Sequence, residues 1–101
     1  MIPTGVAVAI PDGHVGLVAP RSGLATRHGI GVVNAPGIVD SGYRGELQVV
    51  MVNHGSEVVT LARGDRIAQL VVVPFATPSF DLVDELPGSS RGSDGFGSSG
   101  R

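Results

Sequence analysis

The chain contains no cysteine, no lysine, a single tyrosine and no long apolar run. Without cysteine there is no disulfide, no thiolate nucleophile and no cysteine-based metal site, a usage that fits a reducing cytoplasm. No apolar stretch approaches the ~18 residues that would suggest a membrane span. The opening MIPTGVAVAIPDG lacks the basic leader and apolar block of a signal peptide, so no secretion signal is expected. The seven basic residues are all arginine. A planar guanidinium fork matches phosphate oxygens, which suits a small anionic ligand, although G+C-rich coding would also produce arginine-only usage. A net charge of −2 argues against bulk duplex DNA or RNA as a partner. At 101 residues and 42% hydrophobic, the chain has room for one small core.

What it does have is short apolar stretches punctuated by Gly and Pro, without an internal repeat. Val6, Val8 and Ile10 alternate with Ala7 and Ala9, as in a half-buried strand. Pro11, Asp12 and Gly13 predict a turn, and residues 14–19 a returning strand that completes a hairpin. Pro20, Arg21, Ser22 and Gly23 break the sheet. Residues 24–28 then predict one or two helical turns ended by Gly29, the single helical candidate. Residues 30–33 predict a strand ended by Asn34, followed by turns at Pro36-Gly37 and Ser41-Gly42 around a short Ile38, Val39, Asp40 segment. Two strands meeting at this bent tip are expected to bring Asn34, Asp40 and Tyr43 into one pocket. An amide, a carboxylate and a ring suit a base edge, a hydroxyl or water, and a sugar. A hairpin with a surface Asp in its turn is the plainer reading of the same residues.

Further strands are expected at 47–52, 57–61 and 66–73, with turns at 53–56 and 63–65 and a last short strand at 80–83. The pattern predicts an all-β sandwich, barrel or jelly roll. In so small a domain, apolar strands such as 48–52 and 68–73 would form bare edges, which predicts association into a homo-oligomer. From Pro87 the composition shifts to Gly, Ser and charge, dividing the chain into a β domain (1–86) and an arm (87–101). Such a segment is either a disordered tail or an arm that closes over a ligand, with Arg91 supplying charge and Phe96 stacking.

Four stretches stand in order: PRSGLA at 20–25, GIVDSGYRGE at 37–46, GDRIAQL at 64–70 and RGSDGFGSSG at 91–100. Together they resemble the homotrimeric dUTP diphosphatases (dUTPases) over nearly the whole chain. The dCTP deaminases share the fold but usually lack the Phe-bearing arm and differ around the Tyr43 position, so they rank second. The resemblance implies a distorted jelly roll with one short helix and a flexible C-terminal arm that closes over the active site. It implies a cytoplasmic homotrimer with sites shared between subunits and neither nucleic acid nor membrane as partner. The implied reaction is in-line attack of water on the α-phosphorus of dUTP, giving dUMP and pyrophosphate. Mg2+ would be held through substrate phosphates and water, with no direct protein ligand.

The resemblance also implies roles. Asn34, Ile38 and Val39 would form the uracil pocket, with Gln48 also touching substrate. Tyr43 would pack on the deoxyribose and exclude a 2′-hydroxyl. Asp40 would hold the attacking water and the 3′-hydroxyl. Arg21, Ser22 and Gly23 would bind the phosphate chain, and Gln69 would position phosphate and water. Asp40 and Gln69 are thus the catalytic candidates. From the arm, Arg91, Ser98 and Ser99 would meet the γ-phosphate while Phe96 covers the uracil ring. Arg44, Glu46, Asp65 and Arg66 are expected in structural pairs, and His28 and His54 at the surface.

Two departures from the family pattern bear on these expectations. No Ala-Gly-x-Asp-Leu motif precedes Ile2, so an N-terminally truncated member is expected, with a non-catalytic nucleotide-binding module as the alternative. Asp94 stands where the arm usually has Gly, which places a carboxylate near the triphosphate and a side chain where a left-handed backbone is favoured.

Overall fold

Strand β2, His14–Pro20, runs through the middle of the widest sheet and determines which edges remain for the rest of the chain. A computed structural model describes residues 1–95; Phe96, Ser98 and Ser99 lie outside them. Before β2 comes β1, Ile2–Pro3. After it come helix α1 (Ser22–His28), β3 (Ile30–Val32), β4 (Gly37–Val39), β5 (Gln48–Val49), β6 (Met51–Asn53) and β7 (Ala68–Pro74). They form three antiparallel sheets with orders β4-β2-β7, β1-β5 and β3-β6. Short antiparallel strands with one short helix make the expected all-β architecture, an open and distorted jelly roll.

The sheets share a small core. Ile10, Ile30, Val32, Val39 and Val49 are its buried apolar side chains. The two-residue period of a strand places them: Ile30 and Val32 face inward from β3, and Gly37 and Val39 from β4, with Ile38 outward. Gly16, at the centre of β2, lies beneath these residues. A Cβ there would stand 2.6 Å from Ile10 Cδ1, 3.0 Å from Leu70 Cδ1 and 3.1 Å from Val39 Cβ. Gly16→Ala is therefore expected to destabilise the fold by about 1–3 kcal/mol through overpacking. The check is a lower urea midpoint at unchanged slope. An unshifted midpoint would mean that Ile10 moves aside at no cost.

Several expected strands do not form, because a strand needs a partner edge. The turn at 11–13 is present, with the His14 N–H donating to the Pro11 carbonyl at 3.2 Å and Gly13 at φ 76°. The 6–10 segment nevertheless does not pair with β2, whose two edges belong to β4 and β7. Instead the Val6 carbonyl accepts the Leu47 N–H at 2.8 Å. Its alternation survives as burial: Val6 is exposed, Val8 half-buried and Ile10 buried. The 47–52 run is likewise two strands. It breaks at Val50, whose carbonyl accepts the Val33 N–H at 2.8 Å, so that β5 pairs with β1 and β6 with β3.

Residues 57–61 and 80–83 form no strand, and Val58, Phe80 and Leu82 project into solvent. Nor do β3 and β4 form a hairpin, since β3 pairs with β6 and β4 with β2. The helix begins at Ser22 rather than Leu24, and ends as expected at Gly29, left-handed at φ 70°.

The chain measures 54 × 38 × 17 Å, with a radius of gyration of 18.8 Å against about 13 Å for a compact chain of this length. It is a thin, open body. Residues 75–95 carry no helix or strand and are exposed. No helix among the described residues is long and apolar enough to cross a membrane.

Candidate active site

Gln69 anchors the first half of the site. It lies opposite Ala19 in the β2–β7 register, and its Nε2 donates to the Pro20 carbonyl at 3.0 Å. That bond ties β7 to the point where β2 turns into α1. Arg21 precedes the helix in an extended conformation, and the Ala25 N–H donates to the Arg21 carbonyl at 3.0 Å to close the first turn. The N–H groups of Ser22, Gly23 and Leu24 therefore have no carbonyl one turn behind them.

These residues open onto a cavity of about 400 Å³ lined by Arg21, Ser22, Gly23, Leu24, Arg27, His28, Arg66 and Gln69. Three of the seven arginines of a net-acidic chain meet here, and no acidic side chain lines the space. Such a concentration of cations attracts a polyanion. Arg66 and His28, expected to be structural and superficial, are part of this wall. Arg27 also lines this cavity, a position that the sequence did not single out. Its signal is the four-residue spacing from Gly23, which stacks the two on one helix face.

A second cavity, of about 390 Å³, is lined by Met1, Val18, Ile38, Val39, Asp40, Tyr43, Glu46, Leu47 and Gln48. The alternation of β4, carried one residue on, turns Ile38 and Asp40 outward while Val39 is held in the core opposite Gly16. A tight turn follows, with the Tyr43 N–H donating to the Asp40 carbonyl at 3.1 Å. The Tyr43 phenol donates to the Glu46 carbonyl at 2.8 Å. To reach it the ring lies across Gly45, where a Cβ would stand 2.5 Å from Tyr43 Oη. Gly45 is thus a requirement of the tyrosine's pose that the sequence alone did not reveal. Arg44 grips the same turn, donating to the carbonyls of Ser41 at 2.6 Å and Tyr43 at 3.1 Å. Asp65 likewise serves its own turn, accepting the Ala62 N–H at 2.8 Å.

Asn34 does not line the cavity of Asp40 and Tyr43, contrary to expectation. Its amide lies against Gly37, where a Cβ would come within 3.3 Å of Asn34 Nδ2, and it lines neither cavity. The cause is the sheet pairing: residues 33–36 cross from one sheet to another and form no common tip. Arg91 also stands apart. Its Nε donates to the Asp94 carbonyl at 2.7 Å and its Nη2 to the Gly95 carbonyl at 3.0 Å. Asp94 is not in a left-handed conformation, which Gly92 takes instead at φ 59°, so the expected backbone strain at Asp94 is absent.

The two cavities have no lining residue in common. Among the described residues no group of three His, Asp or Glu side chains could hold a metal ion.

The dUTPase family model matches residues 1–100. A deoxyuridine 5′-triphosphate nucleotidohydrolase of Anaeromyxobacter sp. (strain Fw109-5) is 62% identical over 101 residues, covering 100% of this chain and 69% of that protein. The enzyme of the same name from Tropheryma whipplei (strain Twist) is 53% identical over 102 residues, covering 100% and 70%. Among solved structures, the Staphylococcus bacteriophage 80alpha dUTPase with dUpNHpp superposes with a TM-score of 0.82 at 33% identity, covering 94% of this chain and 72% of that one. A dUTPase of phage phi11 of S. aureus, described as coordinating a structural Mg(II) ion, gives a TM-score of 0.67 at 30% identity over 78% of this chain and 67% of that one. With its whole length matched and its fold shared, the chain belongs to the dUTPase family.

Proposed function

We propose that the chain hydrolyses dUTP to dUMP and pyrophosphate. The observation that carries this reading is the division of chemistry between the two cavities. One gathers guanidinium groups around Ser22 and Gly23, as a triphosphate requires. The other presents an outward carboxylate beside a ring braced by backbone, as a nucleoside and an attacking water require. Arg21, Ser22 and Gly23 bind the phosphate chain. Gln69, its Nε2 committed to Pro20, keeps its side-chain oxygen for water and holds the loop in place. Ile38, Val39 and Gln48 border the uracil, which is read through backbone groups near the 40–43 turn. The Asn34 amide, which lies against Gly37 beside this turn, reads the uracil edge with them. Tyr43 packs on the deoxyribose, leaving no room for a 2′-hydroxyl. Asp40 orients the water for in-line attack on the α-phosphorus and takes up its proton.

The separation of the two cavities supports a homotrimer with shared sites. Arg21 and Asp40 line different cavities of the one chain, and the exposed Val71, Val72 and Phe75 leave apolar surface for a neighbour to cover. The 87–101 arm closes the site, with Phe96 over the base and Arg91, Ser98 and Ser99 on the terminal phosphate. For Arg91 that means exchanging the carbonyls of Asp94 and Gly95 for phosphate oxygens. The chemistry fits a magnesium ion that arrives on the substrate and is held through phosphate oxygens and water, since phosphate offers the hard oxygens such an ion takes. Such an ion would neutralise charge on the triphosphate and fix its geometry while Arg21, Ser22 and Gly23 hold the phosphate chain. A dUTP-hydrolysing enzyme of this kind acts on the cytoplasmic nucleotide pool.

The test is pyrophosphate release with magnesium from dUTP, and from dCTP, dTTP and UTP in parallel. Release from dUTP is expected to exceed the others by at least about a hundredfold, as a hydrogen-bonding and shape-selective pocket allows. A folded trimer that releases none would identify a nucleotide-binding module without the chemistry. Ammonia release from dCTP would instead identify a deaminase.

A further inference from the structure

We propose that Arg27 is a polyphosphate-binding residue that makes this site selective for the length of the phosphate chain. The inference rests on the reading of the arginine-lined cavity as the triphosphate site. Arg27 belongs to the last turn of α1, where a basic side chain would ordinarily serve the carbonyls at the helix C-terminus. Here it folds the other way. Its guanidinium lies back along the helix over Gly23, so closely that a Cβ on Gly23 would stand 2.6 Å from Nη2 and 3.5 Å from Cζ. Helical side chains lean toward the N-terminus, and Gly23 leaves open the space one turn behind into which this one leans. Gly23 thereby has a second use: it admits a guanidinium to the cavity wall.

The electrostatics point the same way. Arg27 joins Arg21 and Arg66 around one cavity that, among the described residues, no carboxylate lines. Three such cations without a counter-charge repel one another until an anion arrives. Their attraction grows with the anion's charge, so a triphosphate gains from a third guanidinium far more than a monophosphate does. The fork can also hold two phosphate oxygens at once, which an ammonium cannot.

The experiment titrates dUpNHpp and dUMP into the wild-type chain, Arg27→Gln and Arg27→Lys by calorimetry, with thermal melts as a check on folding. Arg27→Gln is expected to weaken dUpNHpp about tenfold or more and dUMP less than about twofold. Arg27→Lys keeps the helix-end charge and loses the fork, and is expected to weaken dUpNHpp about threefold with dUMP unchanged. It decides the matter if the glutamine variant does not fold. Equal weakening of both ligands would assign Arg27 a structural role and overturn the proposal. So would unchanged affinity for dUpNHpp in either folded variant, while leaving the function of the cavity intact. A folded wild-type chain that binds neither ligand would overturn both.

Discussion

Asp40→Asn is expected to remove most turnover of dUTP, about 10²–10⁴-fold, while leaving affinity for dUpNHpp within about twofold. The substitution is nearly isosteric, and the local fold does not use the carboxylate. The Asp40 turn is closed by its main-chain carbonyl, its position is set by Val39 in the core, and Arg44 grips the carbonyls beyond it. What changes is chemistry. A carboxylate only accepts, and can take a proton from water; a carboxamide turns two donors toward the same space and takes none. The effect should therefore fall on the rate of a single turnover, measured by rapid quench, and not on the dissociation constant of the analogue. Full activity in Asp40→Asn would remove Asp40 from the mechanism. A parallel collapse of affinity would make it a binding group instead.

The contrast between what the sequence disclosed about this site and what it concealed has a physical cause. The Arg21, Ser22, Gly23 loop and the lone amide Gln69 were legible as local features, because they occur in short contiguous stretches whose setting local chemistry dictates, while the roles proposed for them come from the family resemblance. Pro20 ends a strand, Gly29 ends a helix, and Gln69 interrupts an apolar run. Tyr43 and Asp40 were legible as a turn for the same reason. The pairing of strands was not, because it depends on which edges are free once the chain has collapsed. Residues 6–10 alternate well enough to be a strand, yet β4 and β7 already occupy both sides of β2. The expected tip joining Asn34 to Asp40 and Tyr43 failed for the same reason, since it presumes that β3 and β4 pair. Arg27 and Gly45 were hidden for a different reason. Each matters through a close approach between a side chain and a glycine, and no pattern of hydrophobicity records that. Val58, Phe80 and Leu82 were read as strand positions, yet they pair with no strand and stand exposed.

Gly29→Val is expected to destabilise the protein by about 3–5 kcal/mol, more than the overpacking of Gly16→Ala. Two causes add at this position. Gly29 is left-handed at φ 70°, a conformation that a β-branched residue strongly resists. It is also in contact with backbone, since a Cβ would stand 2.8 Å from Gly55 N and 3.2 Å from Gly55 Cα. The partner glycine is equally constrained, because a Cβ on Gly55 would stand 2.7 Å from the His28 carbonyl oxygen. Neither side can yield cheaply. The His54 N–H donates to the Gly29 carbonyl at 2.9 Å, and Asn53 holds the Gly55 N–H at 2.8 Å and the Glu57 carbonyl at 2.9 Å. Gly13 separates the two causes. It sits at φ 76° with nothing within 4 Å of where a Cβ would stand, so Gly13→Ala should show the conformational cost alone, about 1–2 kcal/mol. Urea denaturation of the two variants measures the difference. The consequence reaches the site, because the Gly29–Gly55 contact fixes one end of α1 while Gln69 fixes the loop at the other. A helix released at His28 no longer holds Ser22 and Gly23 at a set distance from Gln69, so Gly29→Ala, the milder variant, should raise KM for dUTP even where it remains folded. If Gly29→Val were no worse than Gly13→Ala, the docking of α1 against residues 53–57 would be loose and would not set the shape of the arginine-lined cavity.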